Sequence, residues 1–214
     1  MTRSTSKKLL LSLAAVGVAA GIAGLGTFAT FTSSTNASEA ISSGTVSINL
    51  GTAGGSANRL TIGASGLVPG DTIQRRVQLT NPSGNQALAS ITLTTTATPS
   101  NVLTTDATNG LQMKIEKCAG TLGWHETVNG SVYTYTCDQS SPGDNAGART
   151  TVLAQRAIIG STLSLSNMSA LAANSSDDMV VTVSLPSTAD NTFQTLSSTV
   201  TYTFNATQRN GTSQ

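Results

Sequence analysis

Past about residue 44 the chain alternates apolar and hydroxyl-bearing side chains in steps of two, and this alternation leaves little choice of fold class. A β-strand turns successive side chains to opposite faces, so a period of two marks a strand with one buried face. "TVSINL" (Thr45–Leu50) places Val46, Ile48 and Leu50 on one side. "TIQRRVQL" (Thr72–Leu79) sets Ile73, Arg75, Val77 and Leu79 against Thr72, Gln74, Arg76 and Gln78, with Arg75 near an edge or snorkelling. The same grammar recurs in Leu88–Thr96, Leu111–Cys118, Val132–Cys137, Ser161–Ser166, Met179–Pro186 and Ser198–Thr207. These runs are rich in Val, Ile, Thr and Tyr, which suit a pleated, half-buried surface.

Turn residues separate the runs. "VPGD" (Val68–Asp71) and "NPSGN" (Asn81–Asn85) break the chain, and "VNGS" (Val128–Ser131) carries the Asn-Gly pair that favours a tight hairpin. Two segments read as short helices: Thr150–Ile158, with helix formers at its centre, and one turn in Met168–Asn174. With about eight or nine strands and no βαβ alternation, the expected fold is an all-β, antiparallel β-sandwich of jelly-roll type.

Charged side chains make up 10% of the chain, against roughly 25% in an average globular protein. Arg3, Lys7 and Lys8 sit in the first eight residues, leaving eight basic against ten acidic side chains beyond them, a net −2. No basic patch or basic-aromatic interleaving is present, which argues against a nucleic-acid partner.

The amino terminus has the grammar of an export leader. "MTRSTSKK" is a positive n-region, and "LLLSLAAVGVAAGIAGLG" is an apolar h-region, followed by small residues at Thr27 and Ala29. Cleavage is expected between Ala29 and Thr30, with Ala37 as the second choice. The h-region is also long enough to stay in a membrane as an uncut anchor. Membrane contact is expected only through the uncleaved leader. The expected division is a signal peptide over 1–29, a flexible arm over 30–43 and a sandwich domain over 44–214.

Cys118 and Cys137 are the two cysteines. In an exported chain an even pair reads as one disulfide, and the alternative is two buried free thiols. The bridge would close a loop of about 20 residues, contributing roughly 3 kcal/mol in the chain-entropy model.

Catalytic constellations are weak. "WHETVNG" begins like a zinc-protease helix, but Asn129 stands where the second His should be, and His125 is the single histidine. The segment reads as a polar loop or part of a stapled hairpin. A Ser–His–Asp site would need the same His125, and no glycine-flanked serine elbow exists. Asp177 and Asp178 are adjacent, so on a strand they face opposite ways, and they read as the start of a strand at a solvated turn. Asp71, Asp106 and Asp144 lie in turns without the spacing of a calcium loop. No catalytic residue, cofactor or metal is expected.

Three landmarks in order resemble the TasA/camelysin family of Gram-positive bacteria. "GTFATFTSSTNASEAISSGTVSINL" matches the family's leader end, polar arm and first strand; "LVPGDTIQRRVQLTNPSG" and "VTYTFNATQRNG" match a second and a final landmark. The cysteine-bearing middle does not align. The resemblance implies a secreted jelly-roll sandwich, processed by a dedicated signal peptidase, that assembles into biofilm-matrix or cell-surface fibres. Some relatives carry a metallopeptidase label, for which this chain has no recognisable zinc motif.

The arm would add as a strand to a neighbouring copy, with Phe31 as anchor and Ala37 and Ile41 along it. Repeated head to tail, that contact does not close and makes a filament of the chain with itself. A surface adhesin and an exported metallopeptidase are the rival classes.

Overall fold

The computed structural model describes residues 46–61, 66–119, 123–138 and 147–211, all within one compact unit, Ser43–Gln214. The cleavage and arm residues Ala29, Thr30, Phe31, Ala37 and Ile41 lie outside the described residues, as does Asp144.

The described residues form ten strands: β1 Asn49–Leu50, β2 Thr72–Asn81, β3 Leu88–Thr98, β4 Gln112–Cys118, β5 Gly123–Asn129, β6 Val132–Asp138, β7 Arg149–Ala157, β8 Gly160–Ser164, β9 Ser175–Ser184 and β10 Thr199–Gln208. A single α-turn, α1 Val102–Thr105, and 3₁₀ turns at Ser169–Leu171 and Asn191–Phe193 interrupt them. The chain is all-β, and every strand pair is antiparallel.

One sheet runs β1-β2-β9-β4-β7, a second β10-β3-β8, and β5 pairs only with β6. The first two sheets bury their facing sides against each other. Val77 and Leu79 of β2, Met113 and Ile115 of β4, and Met179 and Val181 of β9 meet Ile91 and Leu93 of β3 and Leu163 of β8 in one cluster. Each such side chain stabilises the fold by about 1.5–3 kcal/mol when fully removed from water. The alternation read along β2 holds: Arg75, Val77, Leu79 and Asn81 are buried, and Gln74, Arg76 and Gln78 face outward.

Three readings change. Thr150–Ile158 is not helical; it is strand β7 and its end. Opposite β4, the partners step from Arg156 to Leu153 to Thr151 while β4 advances only from Met113 to Ile115 to Glu116. The extra residues are bulges, which put Val152 and Leu153 side by side in the buried set and hide the period of two. The "WHETVN" segment is strand β5 rather than a loop. At the amino-terminal end only Asn49–Leu50 pair as strand, although Val46 and Ile48 still pack on the core.

The "NPSGN" turn also braces that end. Asn81 is fully buried and its Nδ2 donates to the carbonyls of Gln86 (3.2 Å) and Ala172 (3.1 Å). Asn85 Nδ2 donates to Asn81 Oδ1 (3.0 Å) and to the Ser47 carbonyl (2.7 Å). The root of the arm is therefore pinned to the sandwich by two buried amides, whose hydrogen-bonding needs are met there.

Candidate functional site

Two places outside the main core bear on function: the β5–β6 hairpin, which carries the single histidine, and the edge formed by β10.

The hairpin turns at Asn129-Gly130, where Gly130 has φ +60°, the left-handed region that an Asn-Gly turn supplies at little cost. It lies on the outer face of the five-stranded sheet. Trp124, Tyr135 and Cys137 pack there on Val180, whose neighbours Met179 and Val181 point into the main core. Cys137 is disulfide-bonded to Cys118 at the end of β4, with 5.4 Å between the Cα atoms. Gly147 crosses so close to this bridge that a Cβ there would lie 2.4 Å from Cys137 Sγ, and its N–H donates to the Cys137 carbonyl (2.9 Å).

Directional contacts fix the hairpin. Trp124 Nε1 donates to the Asp178 carbonyl at 3.0 Å, and the Tyr135 N–H donates to Gln74 Oε1 at 3.1 Å. Arg59 grips Glu126 through Nε (3.1 Å) and Nη2 (2.7 Å), while the Tyr135 hydroxyl donates to the same carboxylate at 2.7 Å. The Arg59 guanidinium holds the Glu126 carboxyl below its ordinary range. Burial, and then the bond to Glu126, push the Tyr135 hydroxyl far up. The guanidiniums of Arg59 and Arg75 each lie 5.1 Å from the centre of the Tyr133 ring, and that of Arg149 lies 5.5 Å from the centre of the Trp124 indole, distances at which cation–π attraction acts.

His125 stands on this hairpin with a side chain 61% exposed, its Nδ1 4.0 Å from Asp138 Oδ2. Asp138 is buried, and its Oδ1 has no hydrogen-bond partner. The next residue, Glu126, faces the other way and is committed to Arg59. Zinc needs at least three protein ligands in a hydrolytic site, and among the described residues no three His, Cys, Asp or Glu side chains converge. The donor set around His125 does not fit the metal: both cysteines are in the bridge, Glu126 is held by Arg59, and Asp178 is held by Arg76.

Asp177 and Asp178 do face opposite ways, but neither begins a strand at a solvated turn; both sit inside β9. Asp177 is buried toward the core and accepts from Lys117 Nζ (3.0 Å) and from the Ala170 N–H (2.7 Å). Asp178 points outward and takes a bidentate grip from Arg76, Nε at 2.7 Å. Asp71 and Asp106 accept backbone N–H bonds within their own turns. Sequence reasoning missed the Arg59–Glu126 and Arg76–Asp178 pairs. The alternation placed Arg76 on the outer face, but nothing local named its partner.

At the other place, β10 hydrogen-bonds β3 along ten positions, from Thr199 opposite Thr98 to Gln208 opposite Leu88. Among the described residues it has no strand on its other side. Its core-facing Val200, Tyr202, Phe204 and Ala206 touch the core yet remain only partly buried. An edge strand of this length offers a row of unpaired main-chain N–H and C=O groups.

No helix among the described residues is long and apolar enough to cross a membrane. No curated protein matches the sequence. The family model described as camelysin metallo-endopeptidase matches residues 4–213, nearly the whole chain, and the chain therefore belongs to the camelysin family.

Proposed function

We propose that this chain is an exported structural protein of the TasA/camelysin kind, whose sandwich is of jelly-roll type. A dedicated signal peptidase releases it after Ala29, and the mature form assembles head to tail into biofilm-matrix or cell-surface fibres. The arm, residues 30–43, adds as a strand to the next copy. The observation that carries this reading is the β10 edge: ten residues without a partner strand on one side, above a row of half-buried apolar side chains. A donated strand would meet main-chain hydrogen bonds there and complete the burial of that row. The pinned Ser47 fixes where the arm leaves the sandwich. Phe31 would contribute about 1.5–3 kcal/mol when buried, against roughly 1–2 kcal/mol per ordered arm residue, so the contact depends on its anchor.

The family description also suggests proteolysis. The residues around His125 do not favour it, since their carboxylates are committed to arginines and the cysteines to each other. We read the chain as non-enzymatic.

One set of preparations tests both halves. Deletion of residues 30–43, and Phe31→Asp, should each leave a monomer with the circular dichroism of the folded sandwich, and should abolish or strongly reduce the filaments seen by negative stain for the mature protein. Normal filaments from the deletion variant would sink strand donation. Casein incubated with the mature protein should stay intact; chelator-sensitive cleavage that disappears in His125→Ala would overturn the non-enzymatic reading.

A further inference from the structure

We infer that the outer face of the β3–β10 sheet is a second self-association surface, through which fibres of this chain lie side by side. The inference rests on the fibre reading and concerns contacts between fibres, not within one.

On this face Thr199, Thr201 and Thr203 stand directly opposite Thr98, Thr96 and Thr94. The outward positions continue through Asn205 and Thr207 without a charged residue. The exposed Thr96, Thr98, Thr199, Thr201, Thr203 and Thr207 make no side-chain hydrogen bond among the described residues. Their hydroxyls therefore form a grid with spacings of about 4.8 Å across strands and about 6.8 Å along them.

The outer face of the other sheet differs. It carries Arg76, Asp178, Lys114 and Glu116 in ion pairs and is partly covered by the hairpin. A solvated sheet near an open edge is ordinarily protected by charge, lysine above all. Here that protection is absent from the strand whose edge is open.

Two such grids can meet at little desolvation cost. No charge has to be buried, each hydroxyl can donate and accept to its counterpart, and the γ-methyl groups interdigitate as identical side chains do in a zipper. The face is roughly 34 Å long and two to three strands wide, on the order of 400 Å². That is well under the about 800 Å² per partner of a stable complex. A single copy is therefore too small to dimerise through it, and the contact counts only when a filament repeats it many times. That repetition is why the occupant is a second fibre of this chain rather than a free monomer.

The test compares mature protein with two double variants of equal added charge, each checked by circular dichroism. Thr96→Lys/Thr203→Lys charges the grid at diagonal positions; Ser166→Lys/Ser187→Lys charges exposed loops elsewhere. Negative-stain microscopy should show bundled filaments for the mature protein and the loop variant, and separate filaments of normal length for the grid variant, with bundles restored at high salt. Equal bundling in all three, equal dispersal by both variants, or single filaments from the unaltered protein would each overturn the inference. Loss of filaments in the grid variant alone would place the face inside the fibre and overturn it too. If the unaltered protein makes no filaments, the fibre reading fails and this inference falls with it.

Discussion

The core between the two sheets and the interface under the β5–β6 hairpin are held by different means. Between the sheets, side chains from β2, β4, β7 and β9 meet those of β3 and β8 in a cluster that is nearly all hydrocarbon. Under the hairpin, Trp124, Tyr135 and Cys137 meet Val180 alone among fully buried apolar partners; the rest is a disulfide, two arginine–carboxylate grips and an indole N–H bond. The first region is cooperative because no contact in it is separable from its neighbours. The second is a module fastened at a few points, so it should open locally before the sandwich unfolds.

The largest expected effect breaks the first region. Leu93 has no exposed surface, so Leu93→Ala should cost about 2–5 kcal/mol through lost transfer energy and a residual cavity. Urea unfolding should shift as one transition, and amide protection should fall throughout the sandwich. A loss of protection confined to β3 would show the core to be less cooperative than its packing implies.

Next comes the bridge. Cys118→Ser/Cys137→Ser should cost roughly 3 kcal/mol, with hydrogen exchange speeding up in β5 and β6 first and least in β3 and β9. Uniform loss of protection would mean that the hairpin is part of the global folding unit and that the contrast drawn above is false.

The smallest effect concerns the Arg59–Glu126 grip. Glu126 has its folded-state pKa depressed, first by Arg59, so its stabilising contribution is present above the ordinary glutamate value of about 4.3 and is lost as the pH falls through the lower folded value. Glu126→Gln should remove about 1 kcal/mol of hairpin stability near neutrality and flatten the acid limb of hairpin opening. Trp124 fluorescence against pH would register this, and an unchanged acid limb in the variant would assign that pH dependence to another carboxylate.

The sandwich was largely legible because alternation is a local property. Thr72–Leu79 and Ser198–Thr207 foreshadow β2 and β10 to within two residues at either end. Strand β7 was not legible, because its bulges set Val152 beside Leu153 and mimic a helical spacing. The candidate edge was half legible: the period of β10 was readable, its lack of an outer partner was not. The hairpin's turn at Asn129-Gly130 was readable, while "WHETVN" concealed a strand because His125, Glu126 and Thr127 carry no apolar alternation of their own.

By itself, the sequence determined the strands, their turns, which face of each is apolar, and that two cysteines were available to pair. Only the tertiary structure decided the order of strands within each sheet, the hairpin's place on the outer face, and the partners of the charged groups. Arg76 meets Asp178 across 102 residues of chain, Arg59 meets Glu126 across 67, and Lys117 meets Asp177 across 60. The physical reason is one of range. Side-chain alternation follows from the geometry of neighbouring peptide units and tells a residue which way to face; which distant strand lies beside it depends on the packing of the whole chain.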